Sequence, residues 1–261
     1  MSFKHYIFEI NPENVYATGD CHGQWNLLRY KIRESNIKDS VIIIAGDCGL
    51  GFEKEEYYKQ VYSRLKKILE SQNVIVILVR GNHDDPEYFD GDKINFPNLK
   101  AVPDYSVLSF SDYNILCIGG AISIDRMNRI YKKNRFDNKK EYWENEPPIY
   151  KPEVLDKIIS SFNISTVITH SSPKFAPPLS KEGIENYIDN DINLISDVNK
   201  ERDTLTKIYN HIIKTNKLIN WIYGHFHYHD TMYSIDNVEF KLLDMFRTRY
   251  NTWDIIPVKS K

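Results

Sequence analysis

Residues 41–47 read Val-Ile-Ile-Ile-Ala-Gly-Asp, a short apolar, β-branched run that ends directly in a glycine and a carboxylate. Four more runs of this kind end in Gly, Asp, Asn or His. They are Val15–Thr18 before Gly19-Asp20-Cys21-His22, Val74–Arg80 before Gly81-Asn82-His83-Asp84, Thr166–Thr169 before His170, and Ile219–Tyr223 before Gly224-His225-Phe226-His227. Runs that are short and apolar throughout are typical of buried strands in a sheet covered on both faces.

Helix-length polar stretches separate these predicted strands. They are residues 24–35, 53–72, 152–162 and 201–216. In the last stretch Leu205, Ile208 and Ile212 recur at helical spacing. Alternating strands and helices predict an α/β fold. In such folds chemistry is concentrated at strand ends, because a rigid sheet directs side chains from distant positions toward one place.

Two stretches interrupt this alternation. Residues 125–148 are basic and aromatic and end in Pro147-Pro148, and residues 173–199 contain Pro177-Pro178. Loops this long in a compact domain are usually lids, binding loops or disordered segments. We therefore interpret residues 1–261 as one domain with two insertions on the substrate side.

The composition indicates a folded protein. With 261 residues, of which 41% are hydrophobic, the chain can bury a substantial core. Its apolar runs are far shorter than the roughly 20 residues needed to cross a bilayer, so no membrane contact is expected. The first residues lack the features of a secretory signal, and three cysteines do not suggest a disulfide framework. Together these features predict a cytoplasmic protein.

Charge is balanced except in one stretch. The 34 basic and 36 acidic side chains give a net charge of −2, unlike a dedicated DNA-coating protein. Between Arg126 and Lys140, seven basic residues are opposed only by Asp137. This stretch is either a solvated loop or a contact for a phosphate-rich substrate.

The residues at the predicted strand ends form a set of candidate metal ligands: Asp20, His22, Asp47, Asn82, His83, His170, His225 and His227. Oxygen donors mixed with imidazoles suit Mn, Fe or Zn better than Ca or Mg alone. In a locally extended segment the two donors of Asp20-x-His22 lie on one side, and so do those of His225-x-His227, so each pair can hold one ion. Asp47 follows a central strand alone, and its two oxygens can bridge both ions.

Two ions about 3.5–4 Å apart can hold a shared water, lower its pKa from about 15.7 toward neutrality, and clamp the attacking and leaving oxygens of an in-line displacement. The alternative is that each Gly-Asp is only a turn and each histidine only packs in a core. Five of the eight histidines follow predicted strands, and this repetition favours a site. His5 and His211 lack that context and are predicted to be structural, whereas His229 is a borderline case.

Taken in order, the five strand-end segments resemble the motifs of the calcineurin-like metallophosphoesterases, as "GDCHG", "GDCGLG", "GNHDD", "THSSP" and "GHFH". The resemblance covers about residues 14–245. It implies a four-layer αββα sandwich of two mixed sheets flanked by helices. It also assigns metal ligands: Asp20, His22 and His227 to one ion, Asn82, His170 and His225 to the other, and Asp47 between them.

The resemblance further implies roles beside the metals. His83 is expected to contact the phosphate and to protonate the departing oxygen, with Asp84 orienting its ring; such proton donation typically contributes about 10²–10⁴ in rate. Asn82 is also a candidate substrate contact. The serine/threonine phosphatases of the family carry an arginine in the second motif that is missing here. Arg126, in a segment resembling bacterial and phage-type members, is the candidate for the absent positive charge.

The predicted function is hydrolysis of phosphate esters with two divalent or trivalent ions, in which a metal-bridging hydroxide attacks phosphorus in line. Manganese is the expected metal, with iron, zinc or nickel as alternatives. The expected substrate is a phosphorylated small molecule or nucleotide. A phosphodiesterase or nuclease is the alternative, with nucleic acid less favoured, and a non-catalytic binding scaffold is the third hypothesis. Monoesters and diesters are not separated, because both use the same two ions.

Overall fold

The computed structural model describes residues 3–111, 113–136, 141–178, 183–228, 233–247 and 254–259. Within these ranges the strands are β1 (His5–Ile7), β2 (Val15–Thr18), β3 (Ser40–Ile44), β4 (Val74–Leu78), β5 (Asn95–Phe96), β6 (Leu99–Ala101), β7 (Ser106–Phe110), β8 (Tyr113–Ile118), β9 (Ile164–Thr169), β10 (Asn220–Tyr223), β11 (Tyr233–Ile235), β12 (Val238–Leu242) and β13 (Ile255–Pro257). The α-helices are α1 (Trp25–Glu34), α2 (Glu55–Ser71), α3 (Arg126–Arg135), α4 (Pro152–Ser161) and α5 (Leu194–Ile212).

The strands form two mixed sheets. One has six strands in the order β13-β2-β3-β4-β6-β5, and the other has seven in the order β1-β7-β8-β9-β10-β12-β11. In the six-stranded sheet β2, β3, β4 and β6 are parallel neighbours. In the seven-stranded sheet β8, β9, β10 and β12 are parallel neighbours. The antiparallel pairs are β13 with β2, β5 with β6, β7 with β8, and β11 with β12.

The alternation of side chains along each strand separates three apolar layers. On β3, Ile42 and Ile44 pack with residues of α1 and α2, whereas Val41 and Ile43 face the second sheet. On β9, Ile168 packs between the two sheets, while Val167 on the opposite face packs with residues of α4 and α5. All five residues of β3 are buried, as expected for a strand covered on both faces. The predicted four-layer sandwich, with helices outside two mixed sheets, is confirmed.

The two predicted insertions contain helices that the sequence pattern did not indicate. The basic stretch after residue 125 forms α3 rather than a loop, although residues 137–140 of that stretch lie outside the described part of the chain. Helix α5 begins at Leu194, within the second predicted insertion, and not near residue 201. Of the helices that the structure describes, none has the length and apolar composition required to span a membrane.

Candidate metal centre

Asp20 follows β2 and its side chain is fully buried. Its Oδ1 accepts a hydrogen bond of 3.0 Å from the backbone N–H of His225. Its Oδ2 is also buried, but among the described residues it has no hydrogen-bond partner, although the Nε2 of His227 lies 3.2 Å away. A buried carboxylate oxygen that lacks a donor is unfavourable unless a cation faces it.

One group of candidate ligands surrounds this oxygen. Asp20, His22, Asp47 and His227 each offer one ligand atom, and these four atoms lie within 4.8 Å of one another. The Nε2 atoms of His22 and His227 are 3.1 Å apart, and the Nε2 of His22 is 3.9 Å from the Oδ2 of Asp47. Two imidazole nitrogens and two carboxylate oxygens suit a first-row transition metal. The described part of the chain therefore contains a possible metal site at this position.

A second group of candidate ligands lies near the Oδ1 of Asp47. The Nε2 of His170 lies 3.2 Å from the Oδ1 of Asp47 and 2.9 Å from the Oδ1 of Asn82. The other ring nitrogen of His170 is 2.7 Å from the backbone oxygen of Ala45. Metal-binding histidines commonly use a backbone carbonyl in this way, because it fixes the ring and directs the free nitrogen toward the ion. The ring of His225 lies 5.0 Å from that of His170, centroid to centroid.

The expectation that Asp20-x-His22 and His225-x-His227 are extended is wrong. His22, His225 and His227 have φ values of 45°, 74° and 58°, which belong to the left-handed region. Tight turns, not strand alternation, therefore place these rings. The turn at residues 225–227 separates its two histidines: the ring of His227 lies beside Asp20, and that of His225 beside His170. Left-handed non-glycine residues are strained by about 1–3 kcal/mol, and such strain clusters at functional sites.

Two glycines allow the strand ends to approach this closely. A Cβ atom on Gly46, which has a φ of 102°, would overlap the ring of His170. A Cβ atom on Gly81 would overlap the backbone nitrogen and the Oδ1 of Asp47. Glycine at both positions is therefore required by the close packing of the candidate ligands.

The buried carboxylates give this site a strongly negative potential. Burial alone would lower the pKa of His170, but Asp47 and Asp20 outweigh it and raise that pKa to about 10. Burial alone would raise the pKa of Asp47, but His83 and His170 hold it well below its usual value. Two ionised carboxylates this deep in the protein attract cations. The donor set and its charge thus both fit metal ions.

The backbone of His83 donates a hydrogen bond of 2.7 Å to the Oδ1 of Asp47. Its ring lies beside the first ligand group, with Nε2 4.0 Å from the Oδ2 of Asp47 and the centroid 5.4 Å from that of His22. Burial lowers the pKa of His83 to about 4, with Arg129 acting in the same direction and Asp47 opposing them. His83 therefore lies at the edge of the first ligand group, and its role as proton donor stays a prediction.

The structure gives Asp84 different contacts from those expected. Its carboxylate accepts four backbone N–H groups, at 2.7–3.0 Å, and among described residues it makes no hydrogen bond to the His83 ring. The four donors are residues 48, 49, 50 and 81. Because these donors lie after β3 and β4, Asp84 joins the loops that carry Asp47 and Asn82. Its contacts are those of a residue that fixes these loops, and not of one that orients the His83 ring.

Arg126 is also placed differently from the expectation. Its guanidinium binds Asp191 through two hydrogen bonds of 2.5 and 3.0 Å, and Asp197 through a third of 2.9 Å. Two carboxylates thus neutralise the charge that was predicted to face phosphate. Both acids lie in the second insertion, so Arg126 links the two insertions.

Arg129, one turn later on α3, reaches the ring of His83. Its Nη2 lies 2.7 Å from both ring nitrogens of His83. Its Nε donates to the Oδ1 of Asp125 at 2.6 Å, and its Nη1 donates to the backbone oxygen of Glu141 at 3.1 Å. The sequence placed Arg129 in the basic stretch, but nothing distinguished it there from its neighbours.

A cavity of about 290 Å³ opens over the second ligand group. Besides Asp47, Asn82 and His225, it is lined by Ile122 and Arg202. The loop that carries Ile122 is held by two buried glutamates that the sequence pattern did not identify. The backbone N–H of Ile122 donates to Glu201 at 2.5 Å.

The second of these glutamates is Glu146. Ser123 donates to it through its backbone N–H at 2.7 Å and its hydroxyl at 2.8 Å. The same hydroxyl oxygen accepts a hydrogen bond of 2.9 Å from the Nδ2 of Asn82. The Oδ1 of Asn82 is therefore directed toward His170. Burial raises the pKa of Glu146 to about 8, while the Ser123 hydrogen bonds oppose that shift.

The remaining histidines and cysteines are placed as follows. His5 contacts Ser109, and His211 contacts Tyr150 and Asp156, all away from the ligand groups, as expected for structural residues. His229 lies outside the described residues. Cys21, Cys48 and Cys117 are buried as free thiols, which agrees with a packing role.

A family model described as calcineurin-like phosphoesterase matches residues 14–229. No curated protein matches the sequence. Among solved structures, the protein TT1561 of Thermus thermophilus has a TM-score of 0.50 and 12% identity, with 94% of this chain and 98% of that chain covered.

Two phosphatases are also similar in structure. A serine/threonine phosphatase from Saccharomyces cerevisiae has 14% identity and a TM-score of 0.41, with 93% of this chain and 70% of that chain covered. A dimetal phosphatase from Danio rerio has 11% identity and a TM-score of 0.42, with 89% of this chain and 88% of that chain covered. Because the family model spans residues 14–229 of a chain of 261, the protein belongs to the calcineurin-like phosphoesterases, which hydrolyse phosphoesters with the help of metal ions.

Proposed function

We propose that the protein hydrolyses phosphate esters with two metal ions, one in each of the two ligand groups that share Asp47. The observation that supports this most directly is the position of the Asp47 carboxylate. Its Oδ2 belongs to the group with His22, and its Oδ1 lies 3.2 Å from the Nε2 of His170. A single carboxylate between two donor sets is the arrangement that two neighbouring ions require.

The assignment of ligands follows the two groups. Asp20, His22 and His227 hold one ion; Asn82, His170 and His225 hold the other; and Asp47 bridges them. Such ions, when bound, supply Lewis-acid chemistry that lowers the pKa of water and offsets charge on phosphate oxygens. Manganese is the proposed metal, and iron, zinc and nickel are the alternatives, because a donor set of mixed hardness accepts each of them.

The chain itself supplies the proton for the leaving group. In hydrolysis a water oxygen forms a bond to phosphorus, the ester P–O bond breaks, and the departing oxygen takes up a proton. We infer that His83 gives that proton; its position at the edge of the ligand groups, with Nε2 4.0 Å from the Oδ2 of Asp47, supports this role. A bound phosphate dianion raises the pKa of a neighbouring imidazole, and this opposes the effect of burial on His83.

Arg129 is the proposed phosphate contact, in place of Arg126. A guanidinium beside the general acid can bind two phosphate oxygens at once, which orients the group for in-line attack. Asn82 remains a candidate second contact, because it lines the cavity beside Asp47.

The test is a metal-reconstitution assay. Protein freed of metal by a chelator is expected to regain hydrolysis of an aryl phosphate or a bis-aryl phosphodiester when Mn²⁺ is added. Asp47→Ala is expected to bind fewer ions and to show no hydrolysis. Asp92→Ala, which removes an exposed carboxylate paired with Lys4, is the matched control. Two bound ions without hydrolysis of any ester in a broad panel would refute the proposed activity and favour a binding scaffold.

A further inference from the structure

Three neighbouring hollows, linked by shared lining residues, lie between the candidate metal site and the surface formed by α1 and α2. The hollow that contains His22 and His83 shares Trp25 and Tyr57 with a second, smaller hollow. The second hollow shares Arg64 with a third of about 660 Å³, which lies between α1 and α2. We call this path the α1–α2 groove.

The outer part of the α1–α2 groove is cationic. Arg29 and Arg33 are one turn apart on α1, and Arg64 and Lys67 are one turn apart on α2. All four side chains are exposed. Among the described residues that line the two outer hollows, none carries a carboxylate. Glu34, next to the groove, lies 3.4 Å from Arg33, but an ion pair this exposed neutralises little.

The opposite side of His83 has mixed charge. A hollow that contains His83 and Phe52 is lined by Arg129 and Lys132 of α3 and also by three acidic residues, Glu53, Asp125 and Glu141. Phe52 lines this hollow and the first hollow of the α1–α2 groove, and its side chain is 45% exposed. His83 therefore lies between the α1–α2 groove, whose outer part is cationic, and a hollow of mixed charge, with the exposed ring of Phe52 beside it.

We propose that the substrate is a single-stranded nucleic acid that crosses the site along this path, an inference that rests on the proposed phosphoester hydrolysis. A nucleic acid with one phosphate at the metal site has further phosphates at regular intervals along its strand. The cations of the α1–α2 groove lie away from the metal site, where they can contact these further phosphates. Exposed aromatic rings stack on unpaired bases, and grooves of this kind commonly bind single strands. An acidic protein would match the cations, but it would have no phosphate for the site to which the groove leads.

The bond cleaved is then an internal phosphodiester. The oxygen of a water molecule forms a bond to phosphorus, and the water loses one proton to solvent. The bond between phosphorus and one sugar oxygen breaks, and that oxygen takes the proton of His83 and leaves as a hydroxyl. Solvent then returns a proton to His83. The products are one strand ending in a phosphate and one ending in a hydroxyl.

The first test is binding of fluorescent DNA and RNA strands of about 12 nucleotides, a length within the usual site sizes of such grooves. Metal-loaded protein carrying His83→Ala is used, because slow turnover preserves the strand. Four phosphate contacts predict a slope of log affinity against log salt of about −2.8, and Arg64→Glu with Lys67→Glu should reduce it to about −1.4. Lys157→Glu with Lys207→Glu, on exposed positions of α4 and α5, is the matched control and should leave the slope unchanged.

The second test uses protein with His83 intact and compares cleavage of the strand with hydrolysis of a small aryl ester. The ratio of the two kcat/KM values is expected to fall at least tenfold in Arg64→Glu with Lys67→Glu, and to stay constant in the control. Preference for DNA or for RNA supports the proposal equally and identifies the natural polymer.

Three results would overturn the inference: no cleavage of either strand by protein that hydrolyses the small ester, an unchanged ratio in the groove variant, or tighter binding of a poly-aspartate peptide of equal charge. Failure of the proposed function itself is recognised separately, since the small ester would then not be hydrolysed.

Discussion

The Nη2 atom of Arg129 lies 2.7 Å from each ring nitrogen of His83. This contact places a cation from an inserted helix against the proposed proton donor. Since a guanidinium stays charged at any physiological pH, the same group can bind a phosphate oxygen when substrate enters. Two nearby arginines on α3 therefore differ in role, and their variants should differ accordingly.

Replacing Arg129 with alanine should lower kcat/KM for an aryl phosphate by about 10- to 100-fold, because hydrogen bonds to charged groups contribute roughly 1.5–3 kcal/mol. Arg129→Lys should recover only part of this loss, since an ammonium cannot form a bidentate contact. Steady-state kinetics of the metal-loaded variants provide the measurement. Arg135→Ala, which removes an exposed arginine in the last turn of the same helix, is the control, and an equal loss in that variant would contradict a specific role for Arg129.

Replacing Arg126 with alanine should instead reduce stability. The side chain is 12% exposed and bonded to Asp191 and Asp197. Its loss leaves the Asp191 carboxylate without its cation, whereas Asp197 keeps Lys200 at 3.0 Å, and it should lower the free energy of unfolding by about 1–3 kcal/mol. Urea unfolding at neutral pH measures this change. A larger loss of kcat/KM than in Arg129→Ala would show that Arg126 contacts phosphate after all.

The effect of Arg126→Ala should also depend on pH. The hydrogen bonds from Arg126 lower the pKa of Asp191 in the folded protein. A carboxyl whose folded pKa is depressed contributes stability above its unfolded pKa, about 3.9, and loses it as pH falls through the folded value. The stability difference between the unmodified protein and the variant should therefore be full at about pH 6 and shrink below about pH 4. A difference that stays constant to about pH 3 would contradict this linkage.

His83→Ala should retain both ions and lose turnover by about 10²–10⁴. The backbone N–H that bonds Asp47 remains in this variant, so the ligand geometry is preserved. Metal content and kcat are measured on the same preparation, with His5→Ala as the control at a histidine that contacts Ser109. The loss should shrink for esters with acidic leaving groups, which need no proton donor. A loss independent of the leaving group would argue against general acid catalysis.

The sequence was sufficient to predict which residues follow the strands, but not the conformation of the loops that carry them. Three candidate ligands follow buried strands: Asp20 after β2, Asp47 after β3 and His170 after β9. Because β2, β3 and β4 are parallel in one sheet, and β9 and β10 are parallel in the other, these side chains lie at neighbouring strand ends. The apolar pattern of the strands is enough to predict such positions. It does not predict the left-handed turns at His22 and His227, because these turns depend on close approach to other loops and not on strand periodicity.

The choice between Arg126 and Arg129 shows the same limit. Both lie in one basic stretch and both are paired with carboxylates. Arg126 binds Asp191, 65 residues away, whereas Arg129 binds Asp125, four residues earlier, and keeps its Nη2 beside His83. Glu146 and Glu201 were missed because a buried carboxylate has no periodic signal in the sequence, whether it lies in an insertion, as Glu146 does, or at the start of a predicted helix, as Glu201 does. The α1–α2 groove was missed because its cations come from two helices that meet only after folding.

Gly81→Ala should remove metal from the site without altering any ligand. A Cβ atom at residue 81 would overlap the backbone nitrogen and the Oδ1 of Asp47, so the bridging carboxylate must move. Overpacking of this kind typically costs about 1–3 kcal/mol, and metal-supporting residues commonly change affinity by about 10- to 100-fold when disturbed. Calorimetric titration with Mn²⁺ measures the affinity. Gly183→Ala is the control. There no described atom beyond the adjacent residues lies within 4 Å of the added Cβ, and only the φ of 72° is unfavourable, so this variant should lose some stability but bind both ions normally. If Gly81→Ala also bound both ions normally, the close approach of residue 81 to Asp47 would not be needed for the metal site.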